Sequence, residues 1–303
     1  MKNELMCIRK LNMFKVLATV TVAFILLILL IIVTYKLIIK NIIKNESNNY
    51  ATVLYQTKQN EILEEQERIR AEEERNEKRY AKLSSEDIDK FDKIYRHSDV
   101  KRVFLTFDDG PSKTVTPLIL DLLKKEDVKA NFFVLGSRVE QNPEILKRIY
   151  NEGHFIGNHG YSHKYSKIYE SVDSVFNEYN VTNQLIKRVL NTDKFESLVF
   201  RFPGGVHGGY YNDLKIEAAN KLKENGIANV DWNALTNDAA GATTKEAIME
   251  NFYKTTEGLT SIVLLMHDAS DKILTYECLP DIIHYLKDNG YKFETMYDAI
   301  NRE

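Results

Sequence analysis

Two adjacent carboxylates, Asp108 and Asp109, follow the apolar, β-prone run 103–107 and precede Gly110-Pro111, a pair that punctuates strands. Neighbouring side chains leaving a strand point in different directions, so the pair suits two separate tasks. Further along, His159 and His163 stand four apart in Gly-Asn-His-Gly-Tyr-Ser-His. On a helix they would share a face and hold one metal ion through neutral nitrogens. A carboxylate from elsewhere would complete a two-histidine, one-carboxylate face with open positions for water and substrate. Arg201 opens Arg-Phe-Pro-Gly-Gly and His267 closes Leu-Leu-Met-His, each again at the end of an apolar run. Singly, each group has a bland explanation: a solvated turn, a surface ion pair, a packed imidazole. Four strand ends that each deliver a catalytic residue type are what an active site requires.

The elements that must position these groups are legible as alternation. Strands are expected at 103–107, 130–135, 155–157, 198–202, 228–232 and 262–266. Helices are expected at 115–125, 143–151, 172–190, 214–225, 244–255 and 276–289. Strand-helix alternation over this length argues for an α/β fold with parallel strands, either a barrel or a doubly wound sheet. In both, ligand sites form at the C-terminal ends of the strands, where the polar groups stand.

Thr106-Phe107-Asp108-Asp109, His159-xxx-His163, Arg201-x-Pro203, the Trp232 region and Leu265-x-His267 follow one another in an order that resembles polysaccharide deacetylases of carbohydrate esterase family 4, the NodB-type domain. The resemblance covers about two-thirds of the chain, from near residue 99 to near 300. It implies a distorted (β/α) barrel of seven strands and one divalent metal ion, zinc first and cobalt, nickel or manganese as substitutes, held by Asp109, His159 and His163. Asp108 is then the general base, oriented by Arg201, and His267 the general acid. The backbone N–H of Gly204 matches the oxyanion donor, and Leu265 stands beside the substrate. Trp232 either lines the sugar groove or packs in the core.

Three departures from the family pattern matter. Gly160 stands where the family has Ser or Thr, which removes a hydrogen bond within the histidine loop. Gly204 replaces the tyrosine of Arg-Pro-Pro-Tyr-Gly, which removes an aromatic wall and leaves a more open or more flexible groove. The first aspartate of the fourth motif falls on Leu235, so the carboxylate that pairs with Arg201 or tunes His267 is Asp238, with Asp231 as the alternative. The implied activity is metal-dependent N-deacetylation of an amino-sugar polymer, with peptidoglycan N-acetylglucosamine as the leading substrate. The alternatives are poly-N-acetylglucosamine, chitin oligomers, acetylated xylan, or a catalytically silent wall-binding module.

Ahead of the domain, residues 16–35 are uncharged and almost wholly aliphatic, long enough as a helix to span roughly 30 Å of hydrocarbon. The expected organisation is a cytoplasmic segment at 1–15, a single membrane span at 16–35, a charged helical stalk at 36–98 and the deacetylase domain at 99–303. Lys2, Arg9, Lys10 and Lys15 precede the span while Lys36, Lys40 and Lys44 follow it, so charge leans only slightly to a cytoplasmic N-terminus. The extracellular placement of the domain rests on where the polymer is. Within the stalk, 59–82 sets glutamates three or four residues before basic ones, the pattern of a solvated helix, and Ser84 to Asp87 reads as a helix start. A net charge of −3 with acidic and basic residues interleaved gives no sign of a nucleic-acid partner. The two cysteines, Cys7 and Cys278, fall on opposite sides of the expected span, so no disulfide is expected. No feature of the sequence assigns an oligomeric state.

Overall fold

A computed structural model of the chain describes residues 28–29, 31–36 and 49–301. Most of the expected membrane span, residues 16–27 and 30, and Cys7 lie outside them. Among the described residues no helix is long and apolar enough to cross a membrane. By its contacts the chain divides between Ala71 and Glu72. Helix α1 (Asn49–Tyr80) begins ahead of that division and carries the charged stalk sequence. Ile62 and Leu63 are exposed on it, and Arg68 pairs with Glu65 at 3.0 Å, a solvated pair on the helix surface.

The second unit, Glu72–Glu303, holds eight strands: β1 (Arg102–Asp108), β2 (Asn131–Val134), β3 (Phe155–Asn158), β4 (Val199–Phe200), β5 (Ala228–Asn229), β6 (Ala234–Leu235), β7 (Ser261–His267) and β8 (Lys292–Phe293). After α1 the helices are α2 (Ser85–Asp92), α3 (Thr116–Lys125), α4 (Gly136–Gln141), α5 (Pro143–Asn151), α6 (Tyr165–Ile168), α7 (Val172–Leu190), α8 (Asn212–Glu224), α9 (Lys245–Thr256), α10 (Ile273–Asp288) and α11 (Met296–Ala299). The sheet is parallel throughout, in the order β5-β4-β3-β2-β1-β7-β6, with β8 attached to β1. Val103, Phe104, Leu105 and Phe107 of β1 are all buried, because both faces of such a parallel sheet are covered and a strand within it reads as a continuous apolar run.

The result is a parallel (β/α) half-barrel, which fits the distorted barrel expected, with eight strands in the described sheet in place of seven. Among the described residues β5 and β6 do not pair. Only residues 230–233 separate them, and parallel neighbours need a crossover of about a dozen residues or more. The seam at this point therefore stays open. A second irregularity sits beside β1, whose one edge is shared between β8 at Arg102–Val103 and β2 from Thr106 onward. Buried Asn131 closes the split: its amide donates to the carbonyls of Leu105 and Glu294 at 3.1 and 3.2 Å, and its oxygen accepts from Met296 N–H at 2.8 Å. Both amide hydrogens and the oxygen thereby have partners within the core.

Residues ahead of 99 join this core. Ser84 accepts from Asp87 N–H at 3.1 Å and the Asp87 carboxylate accepts from Ser84 N–H at 3.2 Å, a capping box that starts α2. The short segment that follows places Phe91 and Ile94 fully inside the core, together with Tyr80 and Leu83. So few apolar positions in a polar stretch leave little periodic signal, which is why the charged composition of 36–98 conceals them. Cys278 is buried and free.

Candidate active site

Because the strands are parallel, their C-terminal ends share one face, and the polar groups gather there. Asp108 and His267 are the last residues of β1 and β7 and are cross-strand partners. His159 follows β3, Arg201 follows β4, and Asp238 lies just past β6. Three non-glycine residues of this rim have left-handed backbones, Asp109 at φ 74°, His163 at 56° and Asn237 at 60°. Asp, Asn and His tolerate that region better than other side chains, and such conformations collect where a site is held by its surroundings.

The Asp109 carboxylate lies 3.6 Å from His159 Nε2 and 3.4 Å from His163 Nε2. The three potential ligand atoms lie within 4.8 Å of one another. Asp109 Oδ1 is buried and has no hydrogen-bond partner among the described residues, a costly arrangement unless a cation completes it. The Nδ1–H of His159 donates to the Arg201 carbonyl at 2.8 Å, which turns the Nε2 lone pair toward Asp109. Burial, against the opposing charge of Asp109, drives the His159 pKa down to about 3, so the imidazole is neutral and able to ligate. Two neutral imidazole nitrogens and a carboxylate suit zinc or a similar divalent ion. The expected ligand set therefore converges, but not on a helix as the four-residue spacing suggests. Residues 159–163 form a loop, shaped by Glu178 from α7.

Glu178 is buried, and its carboxylate accepts from the N–H groups of Tyr161 and Ser162, both at 2.8 Å, and from the Ser162 hydroxyl at 2.5 Å. A Cβ on Gly160 would stand 2.9 Å from Ile168 and 3.1 Å from this carboxylate, at a backbone φ of 80°. Glycine is thus required, and Glu178 supplies the order that the missing Ser or Thr was expected to provide. Glu178 was missed because a single acid on an amphipathic helix reads as part of a solvated face.

Arg201 is fully buried. Its guanidinium donates to Asp108 at 2.8 Å, to the Thr106 hydroxyl at 2.7 Å, to Val230 O at 2.9 Å and to Asp231 O at 2.8 Å, and it lies 3.9 Å above the Phe133 ring. Asp108 is held in one orientation by this ion pair. Its burial nevertheless outweighs the cation and raises its pKa above the ordinary carboxylate value, which makes it more basic than a solvated aspartate.

Asp238 binds His267, not Arg201. Its carboxylate accepts from His267 Nδ1–H and from His267 N–H, both at 2.8 Å, and from the Thr275 hydroxyl at 2.7 Å. Burial alone would lower the His267 pKa. The hydrogen bond and charge of Asp238, with the charges of Asp108 and Asp109, reverse this and push it up to about 9. Burial alone would likewise raise the Asp238 pKa, and the same bonds hold it below the usual value. Asp231, the alternative carboxylate, meets Arg201 only through its carbonyl; its side chain accepts from Val206 N–H at 3.0 Å.

That bond is one of three pinning the glycine loop: Tyr169 donates to Pro203 O at 2.7 Å, and the buried Lys215 ammonium to Gly205 O at 2.6 Å. Among the described residues the Gly204 N–H makes no hydrogen bond. The space above Gly204 is not open as expected. The hydroxyl of Tyr165 occupies it, 2.3 Å from where a Cβ would stand. Leu265 is buried in β7. Trp232 is partly buried, 5.9 Å from the Arg201 guanidinium, and lines a cavity of about 470 Å³ with Tyr95, Val206, His207 and Asp231, a cavity that the metal-ligand cluster does not line.

Residues 95–227 match the polysaccharide deacetylase family model. The chain is 35% identical over 208 residues to a peptidoglycan-N-acetylglucosamine deacetylase of Bacillus cereus, covering 66% of this chain and 88% of that protein. It is 31% identical over 214 residues to the peptidoglycan-N-acetylmuramic acid deacetylase PdaA of Bacillus subtilis, covering 70% and 77%. Among solved structures, a CE4 esterase of Streptococcus mutans superposes with a TM-score of 0.62 at 33% identity, covering 71% of this chain and 92% of that one.

Proposed function

Because the chain belongs to the polysaccharide deacetylase family, whose members hydrolyse N-acetyl amide bonds, we propose that it is a metal-dependent peptidoglycan N-acetylglucosamine deacetylase attached to the outer face of a cell membrane. The observation that carries the chemistry is the unpartnered Asp109 oxygen between two histidines, flanked by Asp108 and His267. Asp109, His159 and His163 would hold the divalent ion, which when bound polarises the acetyl carbonyl and acidifies water. The substrate is supported by similarity to proteins that bear that name. The apolar segment 16–35 supports the membrane attachment.

In this reading Asp108, fixed by Arg201, accepts a proton from the attacking water. The free Gly204 N–H meets the oxygen of the acetyl group as its negative charge grows. His267, kept protonated by Asp238, donates to the departing nitrogen, which leaves as a neutral amine and not as an amide anion. Acetate and a glucosamine amine are the products. His159 does not serve as the acid, because it is committed to Arg201 O and is neutral.

Treating purified peptidoglycan with the full chain and identifying the muropeptides by tandem mass spectrometry tests the substrate. The expected result is acetyl loss on the glucosamine ring with acetate released in equal amount. Loss confined to the muramic acid ring would transfer the assignment to that sugar, and acetate from a non-wall polymer alone would remove peptidoglycan from the account.

A further inference from the structure

The exchange of the family's tyrosine for Gly204 brings a second aromatic residue into the site from elsewhere. Tyr165 opens the short helix α6, two residues after His163. Its ring leans on that of His163 with centroids 5.8 Å apart and meets that of Tyr169 edge-on at 5.5 Å. Tyr169 is in turn tied to Pro203 O, so the ring rests on the same frame that fixes the glycine loop. With 43% exposure, Tyr165 faces solvent from the rim of the site.

A Cβ at position 204 would stand 2.3 Å from Tyr165 Oη and 3.1 Å from its Cζ, and the φ of 76° at Gly204 disfavours any side chain there. Position 204 and Tyr165 are therefore mutually exclusive occupants of one space. Two donors then stand side by side without a partner among the described residues: the Gly204 N–H and the Tyr165 hydroxyl. The oxyanion that forms from the acetyl oxygen carries three lone pairs and accepts both bonds with one lone pair left for a cation, and the phenol is a donor at neutral pH.

We propose that Tyr165 contacts the substrate, its hydroxyl donating to the N-acetyl oxygen beside the Gly204 N–H while its ring walls the acetyl group. This rests on the deacetylase reading above. The residue is a substrate-contacting one, unlike Tyr169 and Lys215, which act through the loop.

The test compares the full chain with Tyr165→Phe and Tyr165→Leu on an N-acetylglucosamine oligomer, measuring kcat, KM and bound zinc. Tyr165→Phe should keep one zinc and an unchanged KM while kcat falls, toward the low end of the roughly 10²–10³-fold loss that removal of one oxyanion donor causes. Tyr165→Leu should lose the same in kcat and raise KM as well, because the ring is gone. Wild-type turnover with Tyr165→Phe equal to it would overturn the hydroxyl's role. Loss of zinc in Tyr165→Phe would equally overturn it, since the residue would then support the ligands. An inactive wild-type chain that binds zinc would instead sink the deacetylase reading itself, a different result from either.

Discussion

Asp108→Asn should abolish most turnover while leaving the fold and the metal site in place. Asparagine is nearly isosteric and still accepts from Arg201 through its amide oxygen, so the buried guanidinium keeps its partner. What disappears is a carboxylate that is buried, raised in pKa and held in one orientation by Arg201, next to the metal-ligand cluster. Removal of a positioned general base costs about 10²–10⁴-fold, and kcat on an N-acetylglucosamine oligomer should fall by that much. Zinc content and thermal melting, measured on the same samples, should match wild type. Retained activity would make Asp108 a structural partner of Arg201 and place the base elsewhere.

His267→Ala should have a comparable effect, about 10²–10⁴-fold on kcat, because the amine cannot leave without a proton. The finer expectation concerns Asp238. The His267 pKa of about 9 is built chiefly on the bonds to Asp238. The sign follows from the role: an acid is competent below its pKa, so lowering that pKa lowers the alkaline limit of activity. In Asp238→Asn the imidazole returns to roughly 6.5 or below, where about 3% is protonated at pH 8 instead of about 90%. Activity at pH 8 should drop about thirtyfold by this effect alone, and the loss should shrink as pH falls toward 6. A divalent ion beside Asp109 opposes protonation in both proteins and shifts both limbs the same way, so the difference between them persists. A pH profile of kcat for the two proteins reads this directly; an unshifted alkaline limb would separate Asp238 from the acid.

How much of this was legible in the sequence depended on how each residue's partner was encoded. Strands β1, β2, β3 and β7 are apolar runs, and the groups at the ends of β1, β3 and β7 could be read from them. The two-residue strands β6 and β8 carry no such signal, since their pairing is decided by neighbours, Asn233 beside β6 and Asn131 beside β8, and not by their own composition. Asp238 was favoured over Asp231 from motif spacing, and the structure shows why the two differ: one carboxylate meets His267, the other the Val206 N–H.

Glu178 and Tyr165 were invisible for a shared reason. Each fills the space left by a glycine in another loop, at 160 and 204. A pattern read position by position registers the lost side chain and not its replacement, which comes from a helix elsewhere in the sequence, α7 for Glu178 and the start of α6 for Tyr165. The expected open groove at Gly204 is the clearest case, because the ring removed at that position is restored by a different residue. The half-open seam between β5 and β6 follows from a connection too short to allow pairing, visible only once the strand limits are known.

Acetate release from an N-acetylglucosamine oligomer by the chelator-stripped chain, before and after one equivalent of zinc, tests the central claim most directly. The account predicts no release before the addition and recovery of full rate at one zinc per chain, with no recovery in His159→Ala. Undiminished release from the stripped protein, or stoichiometric zinc binding without release, would contradict it.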